Sequence, residues 1–227
     1  MATEGEGVRI GRPQIFVRTQ GCAIGCLNCD SKETWDFDQK SSMSVQNILD
    51  EIYRIAGSYP YQIKSVSITG GDPLHPKHIP GVTTLIKALK KEGFYINIEA
   101  SGTRVIDELF DAVDFLSFDF KTPSTGVKTS SKHLVKLQNQ YKNKFQIKSV
   151  IADKHDFEFV YNELNTLREQ TDHQEVNWIL TPCYEPNEEF PKERFEMILN
   201  KNLEFGAPFR VIGQQHKWIF GPSKKRV

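Results

Sequence analysis

The chain has 227 residues, with 29 acidic and 29 basic side chains and a hydrophobic fraction of 38%. This length is enough for one packed core, so we expect a single domain spanning residues 1–227. The balanced charge gives no reason to expect a nucleic-acid partner. No apolar run is long enough to cross a membrane, and the first seven residues lack the layout of a signal peptide. We therefore expect a cytoplasmic protein without a membrane partner.

Strand and helix patterns alternate along the chain. In chain order they predict strand 14–19, helix 44–56, strand 64–68, helix 82–91, strand 94–98, helix 106–112, strand 115–118, helix 132–141, strand 145–151, helix 157–168, strand 176–180, helix 192–200 and strand 209–212. Such alternation predicts βαβ units and an α/β fold with mainly parallel strands. The pattern leaves open whether the sheet curls into a partial barrel or stays flat and doubly wound. The loop over 122–131, rich in Thr and Ser, is the best candidate for a mobile segment.

Three of the four cysteines lie within eight residues, just after the first predicted strand. Cys22, Cys26 and Cys29 follow a Cys-x-x-x-Cys-x-x-Cys spacing. Thiolates are the soft ligands that iron–sulfur clusters require, and three of them can bind three irons of a four-iron cluster, which leaves the fourth iron open. A zinc site would need a further Cys or His nearby, and none occurs in the next forty residues. Cys183 is distant in the sequence, and we do not expect it to be a ligand.

A second motif, Thr69-Gly70-Gly71-Asp72-Pro73, follows the next predicted strand. Its two glycines let the backbone approach a ligand closely and offer carbonyl and amide groups to it. On its own, such a motif would usually be a turn. Because it comes one strand after the cysteines, it predicts a contact with a cofactor at the cluster.

Together the two motifs resemble the radical S-adenosylmethionine superfamily. In that superfamily, S-adenosylmethionine chelates the open iron of a 4Fe-4S cluster, and an electron from the cluster releases a 5′-deoxyadenosyl radical. Asn28 stands where the superfamily usually has an aromatic residue near the adenine. The resemblance implies cofactor contacts from Asn28, Asp30, Gly71, Ser101, Asp119 and Lys121.

The flanking segments resemble the 7-carboxy-7-deazaguanine synthases over nearly the whole chain. The matching segments are Glu4-Gly5-Glu6-Gly7, Phe16-Val17-Arg18, Cys29-Asp30-Ser31, Glu99-Ala100-Ser101-Gly102-Thr103 and Gln214-Gln215-His216-Lys217. The resemblance implies a modified partial (β/α) barrel and a homodimer. It implies a lyase that converts 6-carboxy-5,6,7,8-tetrahydropterin to 7-carboxy-7-deazaguanine, with ring contraction and loss of ammonia, toward queuosine and other deazapurines. It also implies Mg²⁺ at the substrate carboxylate and a reductant such as flavodoxin or ferredoxin.

The same resemblance assigns substrate and metal roles to individual residues, with the radical supplied by the cofactor rather than by a catalytic side chain. Arg18 would bind the substrate carboxylate through its planar guanidinium, and Ser31 would give its hydroxyl to Mg²⁺. Glu4 stands where the family has Gln, and it can accept hydrogen bonds from a pterin amino group or ring N–H. The implied substrate contacts are Thr3, Glu4, Gly5, Arg18, Thr69 and His216. The alternatives are a surface role for Arg18, a turn role for Ser31 and an exposed side chain for His216.

Two other functions use the same cysteine spacing. A glycyl-radical-enzyme activase would act on a protein, but such activases usually lack the segments seen here at 4–7 and 214–217. A non-enzymatic metal or redox module would hold zinc or a cluster. The βα alternation along the whole chain and the Gly-Gly-Asp-Pro motif argue against such a module.

Overall fold

The computed structural model describes residues 2–38, 40, 42–172, 175–185 and 188–222. Within these residues the strands are β1 (Ala2–Thr3), β2 (Pro13–Thr19), β3 (Ser65–Gly70), β4 (Tyr95–Ala100), β5 (Phe115–Asp119), β6 (Phe145–Ile151), β7 (Trp178–Pro182) and β8 (Arg210–Val211). The α-helices are α1 (Val45–Ala56), α2 (Ile79–Lys91), α3 (Asp107–Ala112), α4 (Ser131–Tyr141), α5 (Lys154–Glu169), α6 (Lys192–Glu204) and α7 (Gln215–Phe220). Each predicted strand and helix is present.

Local sequence signals account for several helix ends. The hydroxyl of Ser44 caps α1 by accepting the backbone N–H of Asn47 at 3.1 Å. Gly93 has a φ of 74° just after α2, the left-handed conformation that ends many helices. Helix α2 begins before its predicted start at Val82, because Pro80 fits its first turn, where proline needs no backbone N–H.

The order of the strands decides between the two predicted sheets. Strands β2–β8 are all parallel and follow one another in sequence order, with β1 antiparallel to β2. A doubly wound sheet reverses its strand order at a switch point, and this sheet does not. The N–H of Gln215, after β8, donates to the carbonyl of Gly5, after β1, at 2.9 Å. The sheet therefore curls until its two edges approach, which confirms the partial barrel.

Alternation along the strands gives the sheet one apolar face and one polar face. The apolar side chains pack against the helices and include Ile15, Val66, Ile68, Ile96, Ile98, Phe118 and Ile147, each at most 2% exposed. The alternate positions are polar and also buried, and they include Gln14, Ser67, Asn97, Ser117 and Gln146. Asn97 donates to the Ser67 hydroxyl and Gln146 to the Ser117 hydroxyl, each at 2.8 Å. The barrel interior is thus lined by polar groups that hydrogen bond across neighbouring strands.

The structure adds two elements to the predicted ones and shifts several of their ends, by up to four residues at the end of α6. Strand β1 and helix α7 were not predicted, and β7 runs to Pro182, two residues beyond its predicted end. The first residues of the loop over 122–131, where a mobile segment was expected, pack against the rest of the fold. Thr122 and Thr125 in that loop are buried, and the Ser124 hydroxyl donates to the carboxylate of Asp156.

Candidate active site

The three clustered cysteines lie in a loop at the carboxyl end of β2. Two backbone hydrogen bonds close the base of this loop, from Gly21 N–H to the Thr34 carbonyl at 2.8 Å and from Cys22 N–H to the Trp35 carbonyl at 3.0 Å. Gly21 has a φ of 125°, and a Cβ there would lie 2.3 Å from the Phe37 ring. The loop therefore needs glycine at its base, and it presents the thiols at the carboxyl end of the sheet.

The thiols of Cys22, Cys26 and Cys29 form no disulfide bonds and are partly exposed. The Cys29 sulfur accepts the backbone N–H of Ser31 and the indole N–H of Trp35, each at 3.4 Å. Such N–H donors stabilise the negative charge of a cluster-bound thiolate. Among the described residues, no three Cys, His, Asp or Glu side chains meet closely enough to share one metal ion. Each thiolate of a four-iron cluster binds a separate iron, so this donor set fits a cluster.

The fourth cysteine lies beside the same loop. Cys183 is buried, and the side-chain amide of Asn28 donates to its sulfur at 3.9 Å. Burial raises the pKa of the Cys183 thiol, which keeps it protonated. The fold thus brings a residue that is distant in the sequence next to the cysteine loop.

The Gly-Gly-Asp segment packs directly on the cysteine loop. A Cβ on Gly71 would lie 2.4 Å from the Gly21 carbonyl oxygen, so only glycine allows this approach. The N–H of Asp72 donates to the Gly21 carbonyl at 3.0 Å. His78 lies against both segments, with one ring nitrogen 2.7 Å from the Asp72 carbonyl and the other 3.1 Å from that of Gln20. The two loops therefore form one unit.

The Asp72 carboxylate holds this segment in place. It is fully buried, and it accepts from Arg104 at 2.7 Å, from Leu74 N–H at 3.1 Å and from Ser101 at 3.3 Å. The Ser101 hydroxyl is thus engaged with Asp72, and its contact with a cofactor stays a prediction.

Replacing Asp72 with alanine should lower the free energy of unfolding by about 2 kcal/mol, because it leaves the N–H of Leu74 without its partner in a buried site. Urea denaturation measures this loss. Glu108→Ala is the matched control, since its ion pair with Lys87 lies on the surface and should be worth less than about 0.5 kcal/mol. Equal losses in both variants would contradict a structural role for the buried carboxylate.

Asp119 and Lys121 lie at the end of β5, on the side of the cysteine loop. Their side chains form an ion pair of 2.7 Å. Burial acts to lower the pKa of Lys121, but Asp119 and Cys26 raise it overall. Lys121 therefore stays charged next to the loop.

Segments from the two ends of the described chain meet at the open side of the barrel. A Cβ on Gly5 would lie 2.2 Å from a ring nitrogen of His216, so the two residues are in direct contact. Lys217 is buried, pairs with Asp30 at 3.5 Å and lies 4.5 Å from the centre of the Tyr184 ring. Helix α7 is thereby attached to the cysteine loop, and the segment that carries Glu4 and Gly5 lies against the segment that carries His216.

The interior of the barrel holds charged side chains besides the predicted site residues. Lys148 pairs with Glu6 at 3.2 Å. Glu99 accepts hydrogen bonds from the hydroxyls of Ser67 and Thr69 at 2.9 and 3.0 Å. Burial acts to raise the pKa of Glu6, but Lys148 and His216 lower it to about 2. Polar residues at alternate positions of the strands were the feature of the sequence that could have predicted this charged interior.

Arg18, Ser31 and Thr3 lie on β2, on the cysteine loop and on β1, respectively. Arg18 is exposed, shares the polar face of β2, lies beside Thr69 in the sheet and has its guanidinium 5.1 Å from the centre of the Phe16 ring. The Ser31 hydroxyl donates to the Asp30 carboxylate at 3.0 Å, so two oxygen groups lie together beside the cysteines. Thr3 belongs to β1, next to the loop that carries Glu4.

The surface carries a cleft and a group of exposed apolar side chains. A cleft of about 1160 Å³ lies among α4, α5 and α6 and contains none of the predicted site residues. Large apolar side chains are exposed on α7 and beside it, namely Phe190, Trp218, Ile219 and Phe220. None of the helices in the described part of the chain combines the length and apolar character of a membrane span.

Comparison with known sequences agrees with the cysteine geometry. A family described as a 4Fe-4S single cluster domain matches residues 3–118, about half of the chain. A 7-carboxy-7-deazaguanine synthase from Bacillus cereus is 34% identical over 69% of this chain and 64% of that protein. The enzyme of the same name from Pyrobaculum aerophilum is 36% identical over 55% of this chain and 54% of that protein. These relatives confirm the resemblance, although the match spans only about half to two thirds of their length.

Among solved structures, Streptococcus suis SuiB bound to S-adenosylmethionine is similar, with a TM-score of 0.59 and 14% identity. The match covers 88% of this chain and 49% of that one. At this identity the likeness shows the shared α/β fold alone.

Proposed function

The chain belongs to the family of 4Fe-4S single cluster domains, and from that premise we propose that it is a radical S-adenosylmethionine enzyme. Its reaction would be the conversion of 6-carboxy-5,6,7,8-tetrahydropterin to 7-carboxy-7-deazaguanine, with ring contraction and loss of ammonia, toward queuosine or related deazapurines. The proposal rests on one observation. Three partly exposed thiols lie together at the carboxyl end of a barrel whose interior is polar.

Cys22, Cys26 and Cys29 would hold the cluster, with N–H donors from Ser31 and Trp35 on one sulfur. When bound, the cluster and S-adenosylmethionine supply a 5′-deoxyadenosyl radical, which abstracts hydrogen from the substrate. The cofactor contacts would come from the loops around the thiols: Asn28, Asp30, Gly71, Ser101, Asp119 and Lys121.

The substrate would lie in the barrel, between β2 and the segment that carries His216. Arg18 would bind its carboxylate, since a guanidinium on the polar face of β2 can form two parallel hydrogen bonds with it. Thr69, beside Arg18, would contact the same end of the ligand. Thr3, Glu4, Gly5 and His216 would surround the ring, and their proximity across the barrel opening supports this placement.

Magnesium would lie at the substrate carboxylate, held by the Ser31 hydroxyl. Ser31→Ala should weaken the dependence of turnover on Mg²⁺, because a hard cation prefers oxygen ligands. Cleavage of S-adenosylmethionine without substrate should survive. Titration of turnover against Mg²⁺ measures the effect, and Ser31→Thr, which keeps a hydroxyl, should respond as the unmodified protein does. Unchanged turnover and metal response in Ser31→Ala would return this residue to a turn role.

We further propose a cytoplasmic homodimer of a single-domain chain, supplied with electrons by a reductant such as flavodoxin or ferredoxin. The exposed apolar side chains around α7 support an interface between two copies, since such a patch is uncommon on a monomer. Leu27, between two cluster cysteines and 69% exposed, supports an approach route for the reductant.

The function is tested by incubating the reduced, reconstituted enzyme with 6-carboxy-5,6,7,8-tetrahydropterin and S-adenosylmethionine, followed by mass analysis of the product. The expected product is 7-carboxy-7-deazaguanine. An enzyme that cleaves S-adenosylmethionine but leaves the pterin unchanged would refute the reaction, and it would favour a protein substrate.

A further inference from the structure

Strand β2 presents three different side chains in a row on its polar face. Gln14, Phe16 and Arg18 occupy alternate positions and therefore point to the same side. They place an amide, an aromatic ring and a guanidinium along one line. Gln14 and Arg18 are four positions apart, so their Cα atoms lie roughly 13 Å apart along the strand at 3.3 Å per residue. This is the length scale of a bicyclic ring that carries a carboxylate at one end.

The amide of Gln14 is buried with an unused acceptor. Gln14 is 0% exposed, and its Nε2 donates to Oε2 of Glu4 at 2.6 Å. The Glu4 carboxylate accepts at this contact, which fixes the amide orientation and turns Oε1 of Gln14 away from it. No group in the described part of the protein donates to that oxygen. A buried acceptor without a donor is unfavourable, so the site fits a ligand that brings an N–H.

Glu4 adds further acceptor capacity beside Gln14. Its Oε1 accepts the N–H of Glu6 at 3.3 Å, and each carboxylate oxygen has a second lone pair. This end of the barrel therefore offers unfilled acceptor capacity on both Gln14 and Glu4. A 2-amino-4-oxopyrimidine ring has adjacent amino and ring N–H groups on one edge and matches that need.

We propose that Gln14 is a specificity-determining residue, which together with Glu4 binds the donor edge of a 2-amino-4-oxopyrimidine ring and couples that binding to the ionisation of Glu4. This inference rests on the proposed pterin reaction and extends it to a residue outside the family motifs. Phe16 would stack on the ring, and Arg18 would bind the carboxylate at the other end.

The charges around Glu4 set the direction of the pH dependence. Burial raises the pKa of Glu4 to about 7, with Glu99 and Glu6 adding to the rise and Lys148 opposing it. The ionised carboxylate of Glu4 offers both of its oxygens as acceptors beside Oε1 of Gln14, whereas the protonated form gives up one acceptor. Affinity should therefore rise with pH between 6 and 8, by about tenfold for one linked proton with a pKa near 7.

The test uses the reconstituted, unreduced enzyme with S-adenosylmethionine present, so that the ligand binds without turnover. Pterin-6-carboxylate and lumazine-6-carboxylate are titrated in parallel, the second having an oxo group in place of the 2-amino donor. On the unmodified protein we expect pterin-6-carboxylate to bind at least tenfold more tightly. Gln14→Leu should remove most of that preference, while Gln138→Leu, which replaces another buried glutamine on α4, should retain it.

The same titration at pH 6, 7 and 8 tests the role of Glu4. The affinity of the unmodified protein for pterin-6-carboxylate should rise about tenfold, and that of Glu4→Gln should change less than twofold. His216 is present in both proteins, so the difference reports Glu4 alone. Iron content and thermal melting confirm that each variant is folded.

Three outcomes would overturn the inference. If the unmodified protein binds pterin-6-carboxylate and lumazine-6-carboxylate equally well, the donor edge is not recognised, and this result does not depend on any variant. If Gln14→Leu keeps the preference for pterin-6-carboxylate, Gln14 does not determine the specificity. If Glu4→Gln keeps the pH dependence, binding is not coupled to the ionisation of Glu4. Absence of pterin binding at every pH would instead count against the proposed function itself.

Discussion

Replacing Cys22, Cys26 or Cys29 with alanine should abolish cleavage of S-adenosylmethionine. Each thiolate would bind one iron of the proposed cluster, and the loop has no other cysteine to substitute for a lost ligand. The reconstituted protein should contain about four irons per chain, and each variant should contain far less. Iron analysis and anaerobic reduction with S-adenosylmethionine, followed by assay for 5′-deoxyadenosine, measure the two effects.

Cys183→Ala is the control, and the structure makes it a stringent one. The Cys183 sulfur lies near the side chain of Asn28, within the span of the cluster cysteines. Its buried, protonated thiol should not replace a ligand, so iron content and cleavage should be nearly unchanged. Loss of the cluster in Cys183→Ala would show that the set of ligands is different.

Arg18→Ala should raise the substrate concentration needed for half-maximal turnover by about thirtyfold. A hydrogen bond to a charged group contributes about 2 kcal/mol, and every 1.4 kcal/mol is a factor of ten. Iron content and cleavage without substrate should stay the same, because Arg18 lies on β2 before the cysteine loop. Steady-state kinetics with the carboxytetrahydropterin measure the shift, and a substrate-bound structure should place the guanidinium roughly 2.7–2.9 Å from the carboxylate.

Two further variants test whether the effect on substrate affinity is specific to Arg18. Arg18→Lys should recover part of the affinity, since an ammonium keeps the charge but not the paired hydrogen bonds. Arg54→Ala, on the surface of α1 with its partner Glu51, should leave the kinetics unchanged. If Arg18→Ala behaves like Arg54→Ala, the residue has only a surface role and the assignment to this pterin reaction fails.

The elements of the barrel were predictable because their signals are local. The cap at Ser44 and the glycine after α2 each act within one helical turn, and the strands follow from short apolar alternation. Strand β1 has two residues and α7 has six, and no apolar alternation or helical spacing marks either of them in the sequence. Helix α7 is held by tertiary contacts such as that between Lys217 and Asp30, which no local pattern records.

The site was predictable only where its residues are close in the sequence. The spacing of Cys22, Cys26 and Cys29 alone indicates a cluster. The contact of Glu6 with Lys148 joins residues 142 positions apart, and it depends on the curl of the whole sheet. The proximity of Cys183 to Asn28 has the same origin, with a separation of 155 positions. Such contacts cannot be read from spacing.

The contact between Glu6 and Gln214 joins residues 208 positions apart, whereas strands β2–β8 each pair with their neighbours in the sequence. Closing a long loop costs entropy that only the finished barrel offsets, so this contact forms after the strands have paired. During synthesis, the cysteine loop is complete long before residue 214 is added. Iron and sulfide could therefore reach the thiols while the barrel is still open, before the segments that carry Glu6 and Gln214 meet.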